Sequence, residues 1–224
     1  MENNVEIKLP GRNNFFVQES YKFLRTNLQF CGDDIKVVAL TSCRENEGKT
    51  TVALNLACSL TELGKRVILL DADMRKSVLS ARHFKIKSSK GLSELLSGQA
   101  SEEELIFSAQ DGKLNIIMSG SFPPNPAEML SGRRFKQLLE KYRSEYDYVI
   151  LDTPPAGVVS DAAAVAPECD GIILVIGDQD VKKTEALEVV ESLRKSGTPL
   201  LGVVRNHNKR GEKKKSSYYS HYAD

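Results

Sequence analysis

The sequence predicts an α/β fold, with a mainly parallel central sheet, helices on both faces, and a single domain over residues 1–206. A polar, tyrosine-rich tail is expected to follow over 207–224. Two observations carry this. Short apolar runs rich in β-branched residues alternate with helical patterns along the chain, which is how a parallel sheet is threaded. Three of those runs end in chemistry, one in a Gly-Lys-Thr turn and two in aspartates, and open α/β sheets bind ligands at the carboxyl ends of their strands. A chain of 224 residues is long enough for one well-buried domain. No repeat, second domain or long linker interrupts the pattern.

The first element is a helix over 15–30, on which Phe16, Phe23, Leu24 and Leu28 form an apolar stripe that docks it on the domain. Glu19, Lys22 and Arg25 recur at three-residue spacing elsewhere on its surface. Taken alone they are a solvated face with spaced ion pairs, worth a few tenths of a kcal/mol each. Residues 35–40 read as a central strand, residues 41–51 (TSCRENEGKTT) as a loop, and residues 52–60 as an Ala/Leu-rich helix closed by Gly64. Strand, loop and helix stand in the order a phosphate-binding loop requires. The helix start offers free N–H groups and the positive end of a dipole, Lys49 a point charge, and Thr50 a hydroxyl for Mg²⁺.

The loop departs from its usual pattern. Cys43 stands where Gly or Ala is common, and Gly48 is its only glycine. Some residue must supply a left-handed backbone angle, and Asn46 tolerates that region best. Glu45 and Glu47 would repel a triphosphate, so their side chains are expected outward with only their amides inward. Arg44 through Thr51 are thus the candidate nucleotide contacts.

The run 67–75 (VILLDADMR) is a buried-strand pattern ending in Asp71, Asp73 and Arg75. Two carboxylates beside a nucleotide's phosphates can hold a metal or accept a proton, which favours phosphoryl transfer over nucleotide storage. The run 148–155 (YVILDTPP) ends in Asp152, a second-strand acid suited to holding Mg²⁺ through water, and its tandem prolines fix the following loop. Further on, Phe135, Leu138, Leu139 and Tyr142 share one helical face, and Leu187, Val190 and Leu193 another. Both are core stripes.

Net charge is +1, which argues against a nucleic-acid binder. The local exception, 209–215, holds five basic residues and one acid; it reads as a solvated run, with weak attraction to an anionic membrane surface as the secondary reading. Four cysteines without paired metal spacing fit reduced thiols. No apolar run approaches the roughly 20 residues of a membrane span, and the polar start has no signal-peptide core. A soluble, cytoplasmic protein is expected. The tail cannot bury enough surface to offset its ordering entropy, so Tyr218, Tyr219 and Tyr222 are expected as accessible phenols on a disordered arm.

Lys49 and Thr50, the segment 69–75 and the segment 151–155 together resemble the bacterial tyrosine kinases (BY-kinases) of capsule and exopolysaccharide gene clusters. The similarity runs on through 91–98 (GLSELLSG) and 123–130 (PPNPAEML), over nearly the whole chain. The resemblance implies a P-loop NTPase-like fold, ATP and Mg²⁺ as cofactors, and γ-phosphoryl transfer to protein tyrosines. It implies that each subunit phosphorylates a neighbour's tail at Tyr218, Tyr219 or Tyr222. Lys49 would hold the β- and γ-phosphates, while Thr50, Asp73 and Asp152 would hold the metal. It favours Asp71 as the base, although the residues themselves do not separate Asp71 from Asp73. Glu19, Lys22 and Arg25 stand where the family joins subunits into a ring, with Lys22 in place of an arginine and so without bidentate pairing. Arg44 occupies the position of the signature lysine of the MinD and ParA ATPases. Asn206, just past the last strand, would read the adenine edge or simply make a turn. Arg75 would meet phosphate, an adjacent subunit or a helix-start carboxylate. Kinases of this kind without a membrane part work with a separate membrane adaptor, which recruits them to the inner face of the membrane and activates them. The alternatives are a MinD- or ParA-like ATPase switch without kinase activity and a nucleotide-sensing scaffold with negligible turnover.

Overall fold

A computed structural model describes residues 3–9, 11, 14–84, 89–177 and 181–206. Tyr218, Tyr219, Tyr222 and the rest of 207–224 lie outside these residues. The strands are β1 (Asn3–Asn4), β2 (Val37–Ser42), β3 (Val67–Asp71), β4 (Phe107–Ala109), β5 (Leu114–Ile117), β6 (Tyr148–Asp152), β7 (Gly171–Gly177) and β8 (Leu200–Asn206). They form one sheet in the order β1-β4-β5-β3-β6-β2-β7-β8. Every adjacent pair is parallel except β4 with β5. The expected mainly parallel sheet is therefore present, with one antiparallel step near its edge.

The helices are α1 (Phe15–Phe30), α2 (Lys49–Thr61), α3 (Leu79–His83), α4 (Leu92–Ser97), α5 (Glu102–Leu105), α6 (Pro126–Leu130), α7 (Arg133–Glu145), α8 (Asp161–Val165) and α9 (Lys183–Arg194). Because successive strand residues point to opposite faces, the central strands feed two separate cores. Ile68 and Leu70 of β3 pack with Leu92, Phe135, Leu139, Tyr142 and Val165 on one face. Val67 and Leu69 pack on the other with Leu54, Leu60, Leu79 and Leu28, which belong to α1, α2 and α3. Continuous apolar strands are what a sheet covered on both faces requires.

The α7 stripe is buried as expected at Phe135, Leu138, Leu139 and Tyr142. Phe135→Ala should therefore cost about 3–5 kcal/mol, through lost transfer energy and the cavity left behind; a urea titration against wild type reads it as a lower midpoint at unchanged slope.

Two other stripes need correction. On α1, Phe23 is 68% exposed, and the docking face is made by Leu28 with Tyr21 and Leu24 packed beside it. Tyr21 and Leu28 lie seven residues apart, two turns of helix, whereas Phe23 falls on the opposite side of that row. Phe15, Phe23 and Phe30 are all exposed. On α9, Leu187 is exposed while Val189 and Leu193 are buried. The helix is rotated so that the 189/193 pair, one turn apart, faces the sheet.

Among the described residues, no helix is long and apolar enough to cross a membrane.

Candidate active site

Strands β3, β6 and β2 lie side by side, so their carboxyl ends converge. Register does the fine placement: Asp71 is paired with Asp152 across β3 and β6, and Leu40 of β2 with Asp152 on its other side. The acids that end two different strands are therefore neighbours by ladder geometry alone. Beyond β2 the chain forms the loop 43–48 and enters α2 at Lys49.

Two left-handed positions shape this loop, Asn46 at φ 62 and Gly48 at φ 84. Asn46 thus takes the angle that glycine usually supplies, as its tolerance of that region suggests. Ser42 Oγ donates to the Arg44 carbonyl at 2.8 Å and tightens the entry. Glu45 points outward, paired with Lys76 at 2.6 Å. Glu47 does not. Its side chain is buried, with Oε2 accepting from the Arg44 amide at 2.7 Å and Oε1 from the Gly177 amide at 3.0 Å. It avoids the phosphate side by turning into the protein, where two backbone donors receive it. Asn206 closes β8 rather than following it, and its Nδ2 donates to the Glu47 carbonyl at 2.9 Å.

Lys49 Nζ sits 2.6 Å from Asp152 Oδ1 and 4.0 Å from Asp73 Oδ2, with all three residues buried. One cation thus serves two strand-end acids. Asp71 is fully buried behind them; its Oδ1 accepts from the Asp73 amide at 3.3 Å and its Oδ2 from Ser77 Oγ. Burial first, and the neighbouring Asp152 charge second, push its carboxyl well above the ordinary range. Asp73 is also raised, chiefly by burial, against the pull of Lys49 and of the Lys76 amide, which donates to Oδ1 at 3.0 Å. Asp71 is the more basic acid and Asp73 the more accessible one, because Asp73 lines the cleft.

That cleft is an open space of about 720 Å³ over the loop 44–51, walled on its far side by Arg75, Val78, Pro154, Pro155, Val158 and Val159. The proline loop is held rigidly: Thr41 Oγ1 donates to the Pro154 carbonyl at 2.8 Å and accepts from the Ala156 amide at 3.0 Å. Thr50, Asp73 and Asp152 offer oxygen donors only, a set suited to Mg²⁺, which keeps several waters and takes one or two protein carboxylates beside phosphate oxygens. No ready cage of three or more His, Cys, Asp or Glu groups exists among the described residues, and Mg²⁺ bound with a nucleotide needs none.

The remaining candidates are placed as follows. Arg75 makes a bidentate pair with Asp161, the first residue of α8, at 2.7 and 3.0 Å, which is the helix-start alternative. Arg44 makes a bidentate pair with Glu185 of α9 at 2.6 and 2.5 Å. Arg25 reaches within its own chain to the Ser59 carbonyl at 2.6 Å and to Glu62 at 2.9 Å, while Glu19 and Lys22 pair with each other at 2.7 Å. Ser77, Asp161, Glu185 and the Glu47 carboxylate were not singled out from the sequence for these roles. Their partners are 6, 86, 141 and 130 residues away, as in the Ser77–Asp71, Asp161–Arg75, Glu185–Arg44 and Glu47–Gly177 contacts, and no local spacing announces them.

A lysine and hydroxyl at a helix start, facing acids that end the neighbouring strands, define the P-loop nucleotide-binding class, and the AAA domain family matches residues 35–196. Within that class the chain belongs to the bacterial tyrosine-protein kinases. It is 39% identical over 189 residues to the tyrosine-protein kinase CpsD of Streptococcus agalactiae, covering 84% of this chain and 82% of that protein. The structure of the kinase domain of the Escherichia coli tyrosine kinase ETK superposes with a TM-score of 0.80 at 32% identity, over 84% of this chain and 74% of that one. That of the chimerical protein CapA2B2 superposes with a TM-score of 0.83 at 28% identity, covering 92% of each chain.

Proposed function

We propose that this chain is an ATP-dependent protein-tyrosine kinase that phosphorylates its own residues Tyr218, Tyr219 and Tyr222 between subunits and so regulates capsular or exopolysaccharide synthesis or export. The observation that carries the reading is the buried group formed by Lys49, Asp73 and Asp152 around a phosphate loop, with the basic Asp71 directly behind. Phosphoryl transfer asks for little covalent chemistry and much positioning and charge neutralisation, and this arrangement supplies both.

In the proposed reaction, backbone amides of residues 45–51 and Lys49 Nζ hold the β- and γ-phosphates of ATP. Thr50, Asp73 and Asp152 would hold Mg²⁺, which would supply neutralisation of the phosphate charge. Asp71 takes the tyrosine proton as the phenol oxygen attacks the γ-phosphorus, and ADP leaves. Burial of Asp71 is compatible with this role, because catalytic hydrogen bonds often form only once substrate is in place. Asn206 contributes to adenine recognition, and residues 1–206 act as the kinase domain with 207–224 as its acceptor tail.

Assembly into a ring would use α1, whose exposed side carries Glu19 and Lys22 together with Phe15, Phe23 and Phe30; Arg25 would have to exchange its Glu62 contact to take part. Arg44, clasped by Glu185, would reach a neighbour's nucleotide only by a similar exchange. A separate membrane adaptor would recruit the kinase to the inner face of the cell membrane and activate it.

The test is incubation with γ-labelled ATP and Mg²⁺, with and without a candidate adaptor tail, followed by mass spectrometry of the tail peptide. Phosphate is expected on one or more of Tyr218, Tyr219 and Tyr222, and replacing all three with Phe should remove most self-labelling. Released phosphate beside an unmodified tail, adaptor present, would replace the kinase with an ATPase switch.

A further inference from the structure

Glu47 is an anomaly. A carboxylate stands in a loop that must cradle anionic phosphates, yet the residue is only 6% exposed. Both of its oxygens accept from backbone amides, Arg44 N–H at 2.7 Å and Gly177 N–H at 3.0 Å. Its carbonyl accepts from Asn206 Nδ2 at 2.9 Å. The residues on either side, Asn46 and Gly48, are the loop's two left-handed positions, so the contacts of Glu47 pin the point between the loop's two reversals.

We infer that Glu47 is a positioning residue, whose carboxylate anchors the phosphate loop to the end of β7 and thereby holds the loop amides toward a nucleotide's phosphates. The inference rests on the nucleotide-binding reading above and adds a role for a side chain that reading leaves idle. Three features of the geometry support it. The Arg44 contact closes a turn inside the loop, from the amide of residue 44 to the side chain of residue 47, so the curvature that a glycine-rich loop would adopt freely is imposed here by a charged acceptor. The Gly177 contact crosses to another strand, so the loop cannot drift from the sheet without breaking a charge-assisted hydrogen bond. The approach to Gly177 is also uncrowded, since even a Cβ built there would lie 3.5 Å from Glu47 Cγ, an ordinary van der Waals contact, so the hydrogen bond forms without steric strain.

The chemistry makes a sharp demand. Both partners are donors, so both side-chain atoms must accept, which an ionised carboxylate does and an amide does not. Glu47→Gln would accept at one position and set an NH₂ against a backbone N–H at the other. The isosteric change should thus be about as damaging as Glu47→Ala. The experiment measures ATP and ADP affinity by calorimetry and ATP KM and kcat for labelling, on the full chain of wild type, Glu47→Gln and Glu47→Ala. Amide hydrogen exchange is followed at Arg44 and Gly177.

Expected are an affinity for ATP and ADP weakened about tenfold or more in both variants, a matching rise in KM with a much smaller change in kcat, and faster exchange at Arg44 and Gly177 while the amides of β3 and β6 stay protected. Wild-type affinity in Glu47→Gln would overturn the inference, as would exchange accelerated evenly through the sheet, which marks a merely structural role. Fast exchange of the Arg44 and Gly177 amides in wild type would overturn it without any variant. Failure of wild type itself to bind ATP would instead refute the nucleotide-binding reading on which the inference stands.

Discussion

Lys49→Met is expected to lower ATP-dependent labelling by at least 10²–10³-fold, the scale on which removal of one preorganised charge from a phosphoryl or oxyanion site is felt. Methionine keeps the unbranched apolar stem of lysine and lacks the ammonium, so the change removes the charge together with its hydrogen bond to Asp152. In the wild type that charge lies 2.6 Å from Asp152 and 4.0 Å from Asp73. Its loss has two consequences that must be separated. The proposed contact to the β- and γ-phosphates disappears, and three acids are left buried together with no cation among them. Breaking a buried pair by removing one partner costs about 3–5 kcal/mol, so the variant should also melt lower. A thermal scan distinguishes the effects. ATP with Mg²⁺ at 100 times its dissociation constant stabilises a binding-competent protein by about 2.7 kcal/mol, and Lys49→Met should show little of that gain even at low temperature, where it remains folded. Labelling at the wild-type rate would remove Lys49 from the mechanism.

The same residues show what a sequence discloses. The order strand, loop, helix around Gly48-Lys49-Thr50 is local, and so are the acids ending 67–71 and 148–152; the periodicity of α7 is local as well. Each needed only a short window, and each appears in the structure. Even the left-handed Asn46 followed from a single-residue preference and the lack of glycine beside it. What escaped were partnerships across distance and rotations about a helix axis. Whether Phe23 or Tyr21 faces the core depends on a rotation of nearly half the helix circumference, and an aromatic-rich helix such as α1 offers more than one apolar face. Glu47 was expected outward because electrostatics excludes it from the phosphate side. The alternative of turning inward depends on two amide donors, one of them on a strand 130 residues later. Arg75 had three candidate partners in the sequence, and only the fold puts the start of α8 beside it.

Asp71→Asn should bind ATP within a few-fold of wild type and yet lose about 10²–10⁴-fold in transfer, the usual contribution of a positioned general base. The substitution is nearly isosteric, and an amide can still accept from the Asp73 N–H while its NH₂ faces Ser77 Oγ, whose hydroxyl can turn to accept. Its pH behaviour provides an independent check. Burial and Asp152 raise the Asp71 pKa in the folded protein, so between the ordinary carboxylate range and that raised value the native state binds more protons than the unfolded one. Stability from this group is complete below the unfolded pKa and is lost as pH rises through the folded one. The nucleotide-free wild type should therefore melt progressively lower from mildly acidic toward mildly alkaline pH, whereas Asp71→Asn, which never has to bury a charge there, should show a flatter profile. Transfer runs the opposite way, because only the deprotonated acid accepts the tyrosine proton, and its rate should climb over the window in which stability falls. Asp73→Asn serves as the contrast, expected to weaken Mg²⁺-dependent ATP binding itself. Normal transfer by Asp71→Asn, with transfer abolished but ATP binding kept in Asp73→Asn, would move the base to the acid that lines the cleft.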